Sequence, residues 1–173
     1  VWAADAINTL AEREIIQGTS ENTFSPGRNI TRADFAILLV RALKLTSDAT
    51  ENFSDVESNA YYAEEIATAK GCGIISGVGD NKFNPKKQIS RQDMMVIVVR
   101  ALQKDGYTLD DADDTTLQKF DDASQVADYA KSAIALLVTN DIITGSNGKI
   151  NPNGNATRAE VATLIYRILN QKA

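Results

Sequence analysis

Three times the chain sets a hydroxyl residue, an arginine, one further residue and an acid in a row: Thr31-Arg32-Ala33-Asp34, Ser90-Arg91-Gln92-Asp93 and Thr157-Arg158-Ala159-Glu160. Each quartet stands just ahead of an apolar run. A hydroxyl three residues before a carboxylate resembles a capping box, in which each side chain satisfies an orphan backbone donor of a new helix. That explains Thr31, Ser90, Thr157 and Glu160, while the shorter Asp34 and Asp93 also suit the positive helix end. Capping does not explain the arginines. Arg32, Arg91 and Arg158 fall at the first helical position, where the macrodipole disfavours a cation by about 0.3–1 kcal/mol. A guanidinium beside unpaired N–H groups makes a forked receptor for a carboxylate or phosphate. The other reading is an internal ion pair with an acid of a neighbouring unit, such as Asp55 or Asp122. Spacing leaves both open.

Other recurrent residues carry weaker signals. Arg41, Arg100 and Arg167 lie near the ends of the same helices, where a cation suits the carbonyls and no ligand need be invoked. Trp2, Tyr61 and Tyr129 recur at the starts of other helices; an aromatic with a polar tip can stack on a sugar face or plug an interface. Gly18, Gly77 and Gly145 read first as left-handed helix stops, whose missing side chains also leave room for a ligand against the backbone. Histidine is absent, which removes the commonest general base and the usual triads, and Cys72 is the single cysteine, so neither a disulfide framework nor a zinc set is expected. No cofactor is implied. A net charge of −5 gives no reason to expect nucleic acid or an anionic membrane as partner. No apolar run approaches the roughly 18 residues that a membrane span requires.

The elements that position these residues form a repeat. Setting Gly18 on Gly77, a shift of 59, also sets Trp2 on Tyr61, Ile15-Ile16 on Ile74-Ile75, Phe24 on Phe83, Pro26 on Pro85 and Arg32 on Arg91. The third copy follows at 68, with Tyr61 on Tyr129 and Gly77 on Gly145, then at 67 after a one-residue loop deletion. Each copy reads as helix, loop, helix. The first helix carries an apolar stripe and leaves through an Ile-Ile pair and glycine; the loop is rich in Gly, Asn, Ser and Pro around one anchor, Phe24, Phe83 or Ile150. The second helix is apolar nearly all round, as in Ile37-Leu38-Leu39-Val40 and Val96-Ile97-Val98-Val99, which a surface helix does not tolerate. A helix pair cannot bury that surface alone, so the expectation is one all-α domain with pseudo-threefold symmetry, the three second helices at its centre. The expected bounds are 1–45, 53–103 and 120–173, with linkers at 46–52 and 104–119, the second holding the acidic run Asp110-Asp111-Ala112-Asp113-Asp114. Val1 falls in mid-unit, so a mature or trimmed fragment is expected.

The repeat resembles the S-layer homology domain in three tandem copies. The resemblance rests on an aromatic-Ala near the first helix start, Gly-x-Ile-Ile-x-Gly (fullest at Gly73 to Gly77), Phe-x-Pro, and Ile-Thr-Arg-Ala-Asp/Glu. A Phe-x-Asp-Val opening stands at Phe53 to Val56 and, weaker, at Phe120 to Ala123; in copy one it would precede Val1. Copy two departs at Gln92, and copy three at Ala156 for the usual Ile. The resemblance implies a three-pronged spindle around a central three-helix bundle. It further implies a noncovalent anchor, outside the cell, that ties a surface-layer protein or exoenzyme to the bacterial wall. The ligand it implies is a secondary cell wall polysaccharide bearing pyruvylated N-acetylmannosamine, held in grooves between repeats by a module that is monomeric in isolation and lattice-forming in a full-length protein. The resemblance maps the contact to the ketal carboxylate onto Arg32, Arg91 and Arg158; the expected mechanism has Trp2, Tyr61, Tyr129, Gln17, Ser76 and Thr144 hold the sugar, and the expected ligand-binding set also includes Gly18, Gly77, Gly145, Asp55 and Asp122. No carboxylate pair stands in a recognisable acid/base context, so catalysis is not expected. The alternative is a protein-interaction module assisted by calcium at the acidic linker, although Asp110 to Asp114 lacks the glycine and terminal glutamate of an EF-hand loop.

Overall fold

The computed structural model describes residues 3–18 and 23–171. Among these the chain forms six α-helices: α1 Ala4–Glu12, α2 Arg32–Ala42, α3 Ala63–Gly71, α4 Arg91–Lys104, α5 Asp128–Thr139 and α6 Arg158–Gln171. Strand pairing among the described residues is limited to isolated bridges. The expected all-α class is therefore what the chain adopts, as three successive helix-loop-helix repeats.

The second helix of each repeat starts where the quartet predicts. The Thr31 and Ser90 hydroxyls accept the N–H groups of Asp34 (3.1 Å) and Asp93 (3.2 Å). In the third copy the box is reciprocal: Thr157 Oγ1 accepts the Glu160 N–H at 3.3 Å, and Glu160 Oε2 accepts the Thr157 N–H at 2.8 Å. Phe35 to Val40 and Met94 to Val99 are buried without interruption, so these helices are core on every face, at about 1.5–3 kcal/mol per large apolar side chain.

The first helices end sooner than the glycines suggest. Glu14, Gly73 and Asp141 take left-handed conformations, with φ of 57°, 74° and 55°. The isoleucine that follows each one returns its N–H to the helix, Ile15 to Leu10 O (2.9 Å), Ile74 to Ala69 O (3.1 Å) and Ile142 to Leu137 O (2.9 Å). This is a Schellman closure whose buried isoleucine packs back on the last turn. The Ile-Ile pair is thus the stop itself, and Gly77 and Gly145 serve another purpose described below.

The chain divides into two compact units, residues 1–89 with 156–173, and residues 90–155. In the first, α2 packs on α3 and α6, and α1 on α6; in the second, α4 packs on α5. At the hub of the first unit three buried residues close a ring of backbone hydrogen bonds: Ile30 N–H to Ala156 O (2.9 Å), Ala156 N–H to Ile89 O (3.2 Å) and Ile89 N–H to Ile30 O (3.2 Å). The second unit also holds part of the acidic linker, which is built rather than slack. Asp113 accepts the Thr115 N–H at 2.8 Å to start a 3₁₀ turn, Asp114–Lys119, that buries Leu117 and packs on α5.

Candidate functional site

The arginine that capping leaves unexplained is placed by three alternating carbonyls of a loop from another repeat. Arg158 donates its backbone N–H to Arg28 O (2.9 Å), Ala159 donates to Pro26 O (3.0 Å), and the Arg158 Nε–H reaches Phe24 O (3.0 Å). The same ladder recurs twice. Arg32 N–H, Ala33 N–H and Arg32 Nε–H meet Lys87, Pro85 and Phe83 (2.8, 3.0 and 2.8 Å). Arg91 N–H, Gln92 N–H and Arg91 Nε–H meet Gly154, Pro152 and Ile150 (2.8, 3.0 and 2.9 Å). The first two N–H groups of each helix are therefore satisfied by carbonyls and the third by the capping hydroxyl, so none of these donors forms the free anion receptor that spacing left open. Three convergent carbonyl dipoles also compensate a cation at the positive helix end. Two guanidinium groups lie over the anchor ring as well, Arg32 at 4.7 Å from the Phe83 centroid and Arg158 at 4.6 Å from Phe24.

The acids of the opening segments hold the same anchors from the other side. Asp55 accepts the N–H groups of Phe83 and Asn84, both at 2.8 Å. Burial raises its pKa, but these backbone bonds outweigh that and hold it below the ordinary carboxylate value. Asp122 accepts from Ile150 (2.9 Å) and Asn151 (2.7 Å) in the same way. Carboxylate and guanidinium thus grip opposite ends of one residue's backbone. The space beside Gly77 and Gly145 is filled by rings of their own repeats: a Cβ there would lie 2.8 Å from the Phe53 ring or 2.6 Å from that of Phe120, and 2.5 or 2.8 Å from a loop carbonyl. Their φ values of 77° and 72° add the left-handed backbone that favours glycine.

Asp34 and Asp93 hold a tyrosine from the next repeat. Tyr61 donates its hydroxyl to Asp34 Oδ1 at 2.7 Å, and Tyr129 to Asp93 Oδ1 at 2.6 Å. The rings remain 70% and 61% exposed, pinned at the tip and open on the face. Desolvation of the Tyr61 hydroxyl, then its bond to Asp34, pushes the phenol pKa up to about 12.

In the first unit these pieces enclose a groove of about 310 Å³. Its floor is apolar, from Ile15, Ile37 and Leu38, and its rim is polar, with Gln17, Asn29 and the Tyr61 ring. Three arginines line it, Arg28, Arg41 and Arg158, against Asp34. Arg41 is paired with Glu65, Nη2 to Oε1 at 2.7 Å. Arg158, 8% exposed, donates to Phe24 O and, through Nη2, to Gln17 O at 2.6 Å. Burial lowers its pKa, partly offset by the charge of Asp34. Among the described residues Asp34 and Glu65 leave one positive charge uncompensated, in a chain that is acidic overall.

The family model of the S-layer homology (SLH) domain matches residues 1–36, 52–95 and 119–162. The chain belongs to the S-layer homology domain family. Over 173 residues, 98% of its length, it is 35% identical to an amylopullulanase of Thermoanaerobacterium thermosulfurigenes, covering 9% of that protein. It is also 35% identical to the surface-layer 125 kDa protein of Lysinibacillus sphaericus over 172 residues, 97% of the chain and 14% of the relative. The S-layer protein sap of Bacillus anthracis is 32% identical over 169 residues, 96% of the chain and 20% of the relative. The SLH chain thus spans a fifth or less of these relatives, in S-layer proteins and an enzyme alike.

Within the SLH repeats, Gln17, Gly18, Tyr61 and Arg158 meet in one groove, joined by Asp34. Ser76 and Thr144 are exposed at the positions equivalent to Gln17. Trp2 lies outside the described residues. The sequence singled out neither Arg28 nor the apolar floor, and it treated Arg41 as a helix-end cation with no part in a site. Arg28 stands in a loop that reads as a turn, so only its charge and its place four residues after the Phe24 anchor could have marked it. Among the described residues no three potential metal-ligating side chains converge, and no helix is long and apolar enough to cross a membrane.

Proposed function

We propose that this SLH triplet is a noncovalent anchor that fastens a larger protein to the bacterial cell surface by binding a wall polysaccharide with a carboxylate-bearing sugar, pyruvylated N-acetylmannosamine. The observation that carries the reading is the groove of the first unit, an apolar floor with a polar rim and, among the described residues, one uncompensated positive charge. A pyranose has one face for the floor and the exposed Tyr61 ring, and hydroxyls for Gln17 and Asn29. A ketal carboxylate balances the arginine excess. The shared segment supports the same reading: a surface-layer protein and an amylopullulanase differ in their remaining length, so a module common to both serves attachment rather than either protein's own task.

Sedimentation with purified cell walls tests this. The chain should pellet with walls that carry their secondary polymer and stay in the supernatant with walls from which it has been extracted. Equal pelleting with both would refute it, as would pelleting abolished only by removal of wall proteins, which would favour a protein partner.

A further inference from the structure

The groove's three arginines differ in what they are free to do. Arg41 is engaged by Glu65, bonded through both Nε (3.1 Å) and Nη2 (2.7 Å). Arg158 is buried and tied to two carbonyls and a ring. Arg28 is exposed, and among the described residues its guanidinium has neither hydrogen-bond nor ion-pair partner, while it lines the same groove. Its backbone is nevertheless fixed on both sides. The N–H donates to Ser25 O at 3.0 Å and the carbonyl accepts from Arg158 at 2.9 Å. The next residue, Asn29, pairs with Thr157 in a bridge and donates its side chain to Gln88 at 3.0 Å. An incoming anion therefore has only the Arg28 side chain to order, because the loop backbone beneath it is already held.

The repeat supplies a second observation. At the position of Arg28 the other copies carry Lys87 and Gly154, and each gives the same backbone carbonyl to the helix start. The framework therefore needs only the backbone here, and no structural demand selects a cation. By contrast, the position of Arg158 is arginine in all three copies, where the Nε–H bond to the anchor carbonyl requires it.

From this we infer that Arg28 is the residue that selects a negatively charged sugar in this groove, and that Arg158 is a positioning residue holding the loop from which Arg28 projects. The inference rests on the anchoring function proposed above and deepens it. It also separates the repeats by side chain, with arginine, lysine or nothing at the selecting position.

The test is calorimetric titration of the chain and its Arg28→Gln and Arg28→Lys variants with two synthetic probes, N-acetylmannosamine bearing the pyruvate ketal and the methyl ester of that ketal. The ester keeps the shape and removes the charge. Arg28→Gln should bind the charged probe at least about tenfold more weakly at one site, the scale of a lost charge-assisted contact. Arg28→Lys should retain most of the affinity, the ester should show no difference between wild type and Arg28→Gln, and the melting temperature should be unmoved. Superimposable titrations of wild type and Arg28→Gln with the charged probe would overturn the inference and leave the anchoring function standing. A wild-type chain that binds neither probe would overturn both.

Discussion

Replacement of Arg158 by alanine should weaken the fold before it weakens any ligand contact. The side chain donates to Phe24 O at 3.0 Å and Gln17 O at 2.6 Å, with the guanidinium 4.6 Å from the Phe24 centroid. Two hydrogen bonds from a charged donor contribute about 1.5 kcal/mol each at the low end of their range. The ring contact adds about 1 kcal/mol. Relief of the unfavourable charge at the start of α6 returns about 0.5 kcal/mol. The balance is roughly 3.5 kcal/mol of destabilisation, and in a chain of this size each kcal/mol moves the melting temperature by about 2–4 °C, giving a fall of roughly 7–14 °C. Helix α6 itself should persist, because Thr157 and Glu160 keep their reciprocal cap. Circular dichroism melts of Arg158→Ala against Arg167→Ala, an exposed arginine on the same helix, read this directly. The control should stay within about 0.5 kcal/mol of wild type. Equal melting temperatures for the two variants would refute the structural role of the quartet arginine. They would also restore it as a free ligand contact.

Gly77→Ala should destabilise by roughly 2–4 kcal/mol, since a Cβ meets Lys82 O at 2.5 Å and the Phe53 ring at 2.8 Å on a left-handed backbone; thermal melting reads it. Tyr61 has a folded-state pKa of about 12 against 10.0 for the free group, so its hydroxyl stabilises fully below pH 10 and the effect is lost as pH rises through about 12. Tyr61→Phe should therefore cost about 0.5–1 kcal/mol at neutral pH, discounted for solvent screening at an exposed ring, and it should remove one tyrosine that ionises near pH 12 from an ultraviolet pH titration. Asp55 has its pKa lowered on folding, so its stabilisation is complete above the unfolded carboxylate value and is lost as pH falls through the folded one. Asp55→Asn should then flatten the acid limb of a stability-against-pH curve measured by urea unfolding.

Much of this was legible in the residues because it depends on short-range pattern. The offsets of 59 and 67–68 located three helix pairs, and Thr31, Ser90 and Thr157 announced helix starts through a rule that spans only three residues. The apolar middles of α2 and α4 showed that these helices are core on all sides. What the residues hid depends on partners far away in sequence. Arg158 bonds to Phe24 and Gln17, more than a hundred residues earlier, and the three carbonyls that satisfy its helix start belong to a loop that spacing reads only as a turn. Gly77 and Gly145 look like helix stops until the rings of Phe53 and Phe120 are seen beneath them, while the stops fall at Glu14, Gly73 and Asp141, two of which are not glycine. Arg28 was overlooked because a charge in a polar loop is ordinary; it becomes notable only when its neighbours Arg41 and Arg158 prove to be engaged.

The proposed recognition of a charged wall sugar by the groove is decided by titration of the wild-type chain with purified secondary polymer, intact and depyruvylated. Binding to the intact polymer should weaken with added salt and should be at least about tenfold weaker after the ketal is removed. Equal affinity for the two polymers would contradict it.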